Sequence, residues 1–364
     1  VKGLLGALRS GAWLLRGPAG EGRPEAGVLF IGSAPHKAYL ARAFFADSCQ
    51  EQFLGKLDLL RQRRLLHSNW VDCDLAFIER GPGLLQRNLL RRPEDLFIPA
   101  WLKSVADLPL HPGGHAAKWR RARRAGLTWS VTTDADVVGE FHDALYLPTI
   151  RARHGSGTLA IGRAAMLGIV SSGRGELLTV NHGGRFIAGQ LILREQPPRL
   201  WAYGIRDADP GLLKMGALAA IYMFASQHVS SQGYSSLHMG MSRPLLNDGV
   251  LRYKARWNHR IIAHLDTGFV VRVLKPSGAA ALLAGNPFVH VQAGVLKGAL
   301  CLADVMMTDP LAQDAAAARE QLMQLHVDGL AQMQLLRMDP AGLLTPVALP
   351  AADESAGSLP AAGP

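Results

Sequence analysis

A chain of 364 residues is too long for one compact domain of ordinary size, and 48% apolar with 19% charged residues excludes overall disorder. Three scattered cysteines, Cys49, Cys73 and Cys301, exclude a disulfide scaffold and a Cys-x-x-Cys zinc site. The net charge of +10 is uneven, with 20 Lys and Arg against 11 Asp and Glu in residues 1–126, 17 against 10 in 127–300, and 2 against 8 in 301–364. A basic body with an acidic tail points to an anionic partner: a phosphate-rich cofactor, a nucleic acid or a membrane surface.

Residues 1–16 are basic and apolar without a small-residue cleavage motif, so no signal peptide is expected. The best apolar run, 215–226, is too short to span a bilayer. Residues 28–31 read as a strand and 39–67 as a helical stretch. A second apolar strand at 75–78 precedes the breaker Gly81, Pro82 and Gly83. Residues 95–101 then lead into the loop His111, Pro112, Gly113 and Gly114, where a boundary is placed, giving an N-terminal lobe over 1–114.

The densest charge cluster follows: Lys118, Arg120, Arg121, Arg123 and Arg124 around Trp119. Residues 127–132 read as a strand, and Thr133 begins a helix that runs toward Pro148 with aspartates in its first turn. A short helix is expected at 163–170. Strands at 176–180 and 186–193 flank Asn181, His182, Gly183 and Gly184, a hairpin signal. A strand at 200–205, a break at 207–211 and a helix from 212 to about 228 come next. A strand at 235–239, a short helix at 249–257, and strands at 261–265 and 269–274 complete this part. Residues 309–338 read as a helix with the apolar stripe Leu322, Leu325, Leu330 and Met333, so 301–338 are assigned to a helical extension and 339–364 to a disordered tail. This order implies one sheet that opens between the strand before the long helix and the strand after it. A helix N-terminus facing such a gap suits a phosphate-bearing or acyl ligand.

Residues 199–257 run as strand, Gly-containing break, long helix, Ser231-Gln232-Gly233-Tyr234, a strand ending in Met239-Gly240, and a helix carrying Tyr253, Lys254 and Trp257. This order resembles the GNAT-like acyltransferase family, in particular the branch of the Fem-type peptidoglycan aminoacyl-ligases and the acetyltransferases found with exopolysaccharide genes. Tyr253, Lys254 and Trp257 resemble that branch's aromatic-Lys-x-x-aromatic motif, and Ala188-Gly189 resembles its Ala-Gly pair in the second hairpin strand. The likeness covers about 119–274. It implies an α+β fold, a GNAT-like mixed and mostly antiparallel sheet flanked by helices over 115–300, with 1–114 as a reduced lobe and a degenerate second GNAT-like copy.

The resemblance also implies site residues. Ile205, Arg206, Gly211, Lys214 and Gly216 lie where the family's loop and helix N-terminus hold the acyl-CoA pyrophosphate, although Asp207 and Asp209 would repel it. Lys254 falls where the related ligases place a lysine close to the donor or the transfer site. A cation there would neutralise phosphate or a developing oxyanion, and Trp257 is spaced to pack along its stem. Tyr203 and His238, with His182 and His228, are acid–base candidates by position near strand ends. Lys118, Arg120, Arg121 and Arg124, with Trp257, are the substrate-binding candidates, suited to a nucleotide-sugar diphosphate, a tRNA backbone or anionic lipid. No serine triad order, His-Glu-x-x-His or phosphate-loop pattern occurs, and no metal is expected.

The expected activity is transfer of an acyl group (acetyl or longer) from acyl-CoA, or of an aminoacyl group from aminoacyl-tRNA. The acceptor is an amine or hydroxyl, such as a nucleotide-sugar, lipid-linked or polysaccharide precursor of the cell envelope. A cytoplasmic location with peripheral membrane contact is expected. The alternative is a non-catalytic GNAT-like module that binds nucleic acid or an anionic membrane through 118–124 and 1–16.

Overall fold

Short β-branched and aliphatic runs build three sheets, and helices with one apolar face cover them. The computed structural model describes residues 10–20, 24–67, 71–80, 92–154, 160–302 and 311–347. The chain is an α+β protein with mixed, mostly antiparallel sheets. The N-terminal part supplies β1 (Ser10–Pro18), β2 (Glu25–Gly32), α1 (Ala34–Phe45), β3 (Gln50–Leu57), α2 (Leu59–His67), β4 (Leu75–Arg80) and β5 (Leu96–Pro99). The central part supplies β6 (Leu102–Asp107), α3 (Ala116–Arg124), β7 (Thr128–Thr132), α4 (Ala135–Glu140), a π-helical turn (Phe141–Tyr146), α5 (Leu147–His154) and α6 (Arg163–Ser171). It continues with β8 (Gly175–His182), β9 (Arg185–Leu193), β10 (Arg199–Ile205), α7 (Pro210–Met215), α8 (Ala217–Ser231), β11 (Ser236–Ser242), α9 (Gly249–Ala255) and β12 (Arg260–Ala263).

The central seven-stranded sheet has the order β12-β6-β11-β10-β9-β8-β7, antiparallel except between β10 and β11, which α8 connects. Strand alternation sorts its side chains into two layers. Leu178, Val180, Ala188, Ile192 and Leu200 pack on α8 with Ala217, Ala220, Ile221 and Phe224. Leu177, Leu191 and Ala202 face the opposite way, onto Val138, Phe141, Leu145 and Met166 of the α4–α6 layer.

The other two sheets flank this one. β13 (Gly268–Val273) joins the N-terminal sheet in the order β3-β1-β2-β4-β13-β5. After α10 (Pro276–Ala284), β14 (Phe288–Gln292), β15 (Val295–Cys301), α11 (Leu311–Gln324), β16 (Gln332–Met338) and β17 (Leu344–Pro346) follow, and β14-β15-β16-β17 form a third sheet. Strand pairing crosses residue 114 in both directions. β6 precedes it yet lies in the central sheet, and β13 follows it yet lies in the N-terminal sheet.

Several expectations are corrected. Residues 39–67 are not one helical stretch: Ala46, at φ +50, ends α1, and the polar Gln50, Glu51 and Gln52 form an edge strand because β1 offers its free side. Residues 10–16 are part of β1, while 1–9 and 81–83 lie outside the described residues. The helix expected at 212–228 breaks at Gly216 into α7 and α8. The helical extension ends at Gln324, since 332–338 pair in parallel with β15, and 344–346 are a strand rather than disordered tail. Residues 348–364 lie outside the described set.

Gly216 is the joint of this arrangement. Its φ of +104 belongs to the left-handed region, and a Cβ there would meet the Lys118 carbonyl oxygen at 2.3 Å. Gly216→Ala is expected to destabilise the fold by about 2 kcal/mol or more, read as a lowered urea midpoint. An unchanged midpoint would show that the α7–α8 joint relaxes without cost.

Candidate transfer site where β10 and β11 part

β10 and β11 run parallel, but only Arg199 and His238 are paired between them. The His238 N–H donates to the Pro198 carbonyl at 2.9 Å, and from there the strands diverge. Two irregularities produce this. β10 slips against β9 between Leu200 and Ala202, leaving Trp201 as an extra residue, and β11 slips against β6 between His238 and Met241. Such bulges bend a strand away from its neighbour. Gly240 sits within the second slip at φ +81, where a Cβ would lie 2.8 Å from the Leu200 carbonyl oxygen and 3.7 Å from Lys254 Nζ.

Lys254 therefore stands at the apex of the wedge. Its helix, α9, is started by Asp248, whose side chain accepts the N–H groups of Val250 and Leu251 at 3.0 Å each. Only 3% of Lys254 is exposed, and Nζ donates to the Met241 carbonyl at 2.8 Å and to Ser242 Oγ at 3.1 Å. Burial pushes its pKa down to about 7, against the opposing pull of Asp248. The expected stacking of Trp257 along its stem is not found. Trp257 is 1% exposed and packs on Tyr222 and His115, with ring centroids 5.5 Å and 4.6 Å away. It is a wall of the core rather than a substrate contact.

His238 also lies at the apex, but its Nδ1 accepts the Gly240 N–H at 3.1 Å, which leaves the proton on Nε2. Burial first, then the charges of Arg199 and Lys254, push its pKa down to about 4. A neutral ring with that tautomer holds the bulge and has no lone pair left for an acceptor's proton. His228 is committed too: Nε2 lies 2.5 Å from Glu176 Oε1. The hydrogen bond from His228, then Arg194, against the opposing effect of burial, draws the Glu176 carboxyl down to about 2. His182 is exposed at the hairpin end.

Further along the opening, Thr149 on α5 closes one edge of β10. The Ile205 N–H donates to Thr149 Oγ1 at 2.8 Å, and that hydroxyl lies 2.7 Å and 3.1 Å from the carbonyls of Leu145 and Ile205. Ile205 thus has no amide to offer a donor. By two-residue alternation the Tyr203 N–H points to the same edge, where β11 has moved away. The Tyr203 ring is half-buried, its pKa raised by burial, with the Arg153 guanidinium 5.4 Å from its centroid. Tyr222 and Tyr253 continue this wall, with Lys118 Nζ 5.7 Å from the Tyr253 ring.

The pyrophosphate loop expected from the sequence is already satisfied by protein groups. The Gly211 N–H donates to Asp209 Oδ1 at 2.6 Å, so the aspartate caps α7 itself. Arg206 donates to the Phe186 carbonyl at 2.5 Å and pairs with Glu140. Gly216 packs against the backbone of α3, and Lys214 is exposed in the last turn of α7. The cations beside this loop come instead from α3, where Arg120, Arg121, Arg123 and Arg124 are exposed and Lys118 is half-buried.

The sequence did not single out Thr149, Tyr222, His115, Arg153 or Ser242, and it marked Tyr253 only as the first aromatic of the motif around Lys254.

No family model and no curated protein matches this chain. Among solved structures it is similar to the C-terminal domain of a protein described as a lysylphosphatidylglycerol synthetase from Agrobacterium fabrum, at 14% identity over 75% of this chain and 83% of that chain, with a TM-score of 0.36. L-PGS from Bacillus licheniformis matches at 13% identity over 71% and 83%, TM-score 0.36. A GCN5-related N-acetyltransferase from Kribbella flavida matches at 14% identity over 67% and 80%, TM-score 0.26. Likenesses this distant assign no residue a role.

A lysine whose folded pKa lies below its unfolded value binds fewer protons when folded. Stability should therefore rise with pH from about 7 toward the unfolded lysine value near 10.5, by at most about 1.4 kcal/mol per pH unit. The difference in urea stability between the wild type and Lys254→Met should carry this slope and flatten below pH 7. A difference independent of pH would mean that Lys254 is not titrating in the apex.

Proposed function

We propose that this chain is an acyltransferase of GNAT-like architecture that moves an aminoacyl group from a tRNA-type carrier to an amine or hydroxyl acceptor at the wedge between β10 and β11. The observation that carries this is the juxtaposition at the apex: a strand pair joined at Arg199 and His238 only, with the Lys254 amine 3.7 Å from where a Gly240 Cβ would stand.

The donor's carbonyl enters the parting along β10. The acceptor's nitrogen or oxygen attacks the carbonyl carbon and forms the new bond, and the Tyr203 N–H stabilises the resulting oxyanion. Lys254, with a pKa near neutrality, takes the acceptor's proton in its neutral form. Collapse of the intermediate breaks the ester bond, and the carrier's hydroxyl leaves with that proton. No bond to the enzyme is needed, and alignment of the two reactants supplies much of the rate.

The choice of donor follows from charge. Gly211 and Arg206, which a coenzyme A pyrophosphate would need, are bound to Asp209, Phe186 and Glu140, whereas the exposed α3 arginines suit an extended polyanion. A non-catalytic module using the same α3 face would share the salt-sensitive binding but not the turnover.

Titrated with aminoacyl-tRNA and with acetyl-CoA, the protein is expected to bind the former, with affinity falling about tenfold or more between roughly 50 and 200 mM salt. Lys254→Met is expected to lower kcat by about 10²–10⁴ with little change in KM. Binding of acetyl-CoA alone, or unchanged turnover in Lys254→Met, would overturn the proposal.

A further inference from the structure

Arg243 immediately follows β11, at the end toward which β10 and β11 diverge. Its guanidinium is sandwiched between two aromatic faces, 3.6 Å from the centroid of the Trp101 ring and 4.2 Å from that of Tyr39. Tyr39 belongs to α1 and Trp101 to the link between β5 and β6, so the clamp joins the N-terminal sheet to the central one. The faces of the guanidinium are covered while its edge carries the donors. The only hydrogen bond Arg243 makes among the described residues is a long one, 3.5 Å to the Ala100 carbonyl, and no carboxylate lies within ion-pair distance. Tyr39 Oη beside it is buried without a hydrogen-bond partner.

The nearest carboxylates are engaged elsewhere. Glu79 accepts from Ser33 Oγ at 2.7 Å and lies 2.9 Å from His36 Nδ1. Asp248 accepts the two N–H groups that start α9. Both still act on Arg243 through space, but neither satisfies its fork. A cation held rigid by two rings, half-buried, with an unpaired phenol at its side, is costly unless an oxyanion completes it.

We infer that the Arg243 fork and the Tyr39 hydroxyl, braced by Trp101, form a binding site for an oxyanion, a phosphate ester or a carboxylate, at the junction of the two sheets. Resting on the transferase reading, this site would hold the anionic group of the acceptor at the carboxyl end of β11, on the same strand end that contacts Lys254 through Ser242.

The test follows the Arg243 Nε–H signal in proton–nitrogen correlation spectra of the full chain, assigned by its disappearance in Arg243→Gln, during separate titrations with inorganic phosphate and with acetate. The expected result is a saturable shift of that signal with at least one anion, weakened several-fold in Tyr39→Phe. Saturation by phosphate alone assigns a phosphate-bearing acceptor, and saturation by acetate alone a carboxylate. If Arg243→Gln fails to fold, Arg243→Lys, which keeps the charge and removes the Nε–H, supplies the assignment, and the Tyr39→Phe comparison decides. An Arg243 signal that moves only in parallel with the other arginines, or identical binding in Tyr39→Phe, would overturn the site and leave the clamp as packing. No donor or turnover enters this measurement. Anion binding without transfer would therefore sink the transferase reading and spare the site, and transfer without anion binding would do the reverse.

Discussion

The parting of β10 from β11 is the constraint on which the central sheet is built. A parallel pair joined by a crossover helix normally zips along its length, since each unpaired backbone group costs free energy once it is away from water. Here two register slips and a left-handed Gly240 turn the strands apart after the Arg199–His238 pair. The exposed edges are then met by side chains. Thr149 takes the Ile205 amide, its own proton lying between the nearer Leu145 carbonyl and that of Ile205, and His238 takes the Gly240 amide. Lys254 takes the Met241 carbonyl. What these groups leave uncovered is the stretch around Tyr203.

Electrostatics at the apex follows from burial rather than from pairing. Lys254 and His238 are both enclosed and both cationic when protonated, and the lysine's charge adds to burial and Arg199 in holding the histidine neutral. The histidine resolves the conflict by staying neutral with its lone pair on Gly240. The lysine, anchored on a carbonyl and a hydroxyl, is left poised near neutrality. Asp209 and Glu140 engage the Gly211 amide and Arg206, so the exposed positive charge beside this loop lies on α3.

Much of the central sheet was legible in the sequence because its signals are local. Gly183 and Gly184, both at positive φ, close the β8–β9 hairpin, and the helix expected to begin at Thr133 with aspartates in its first turn starts at Ala135, capped by Asp134 with Asp136 in its first turn. The break before the long helix and the opening beside it could also be placed, although the joint at Gly216 could not, since the close approach of the Lys118 carbonyl is set by tertiary packing. Edge strand β3 was missed for a related reason, since its polar residues pair only because β1 presents a free side, whereas β16 was absorbed into the helix expected at 309–338 because Leu330 and Met333 continue the apolar stripe of the helix before it. Of the site, Lys254 was found through a motif. Thr149, Tyr222 and Arg243 were not, because residues separated by some 35 to 140 positions in the chain meet only after folding.

Amide hydrogen exchange at Tyr203, measured with and without a non-hydrolysable, amide-linked aminoacyl-tRNA, tests the central claim most directly. Its neighbours Ala202 and Gly204 should exchange slowly in both states, because they face β9. The Tyr203 amide should exchange readily in the free protein and become protected when the donor's carbonyl occupies the wedge. Equal protection of that amide in the two states would contradict the account, since the parting would then be closed to the group it is argued to receive.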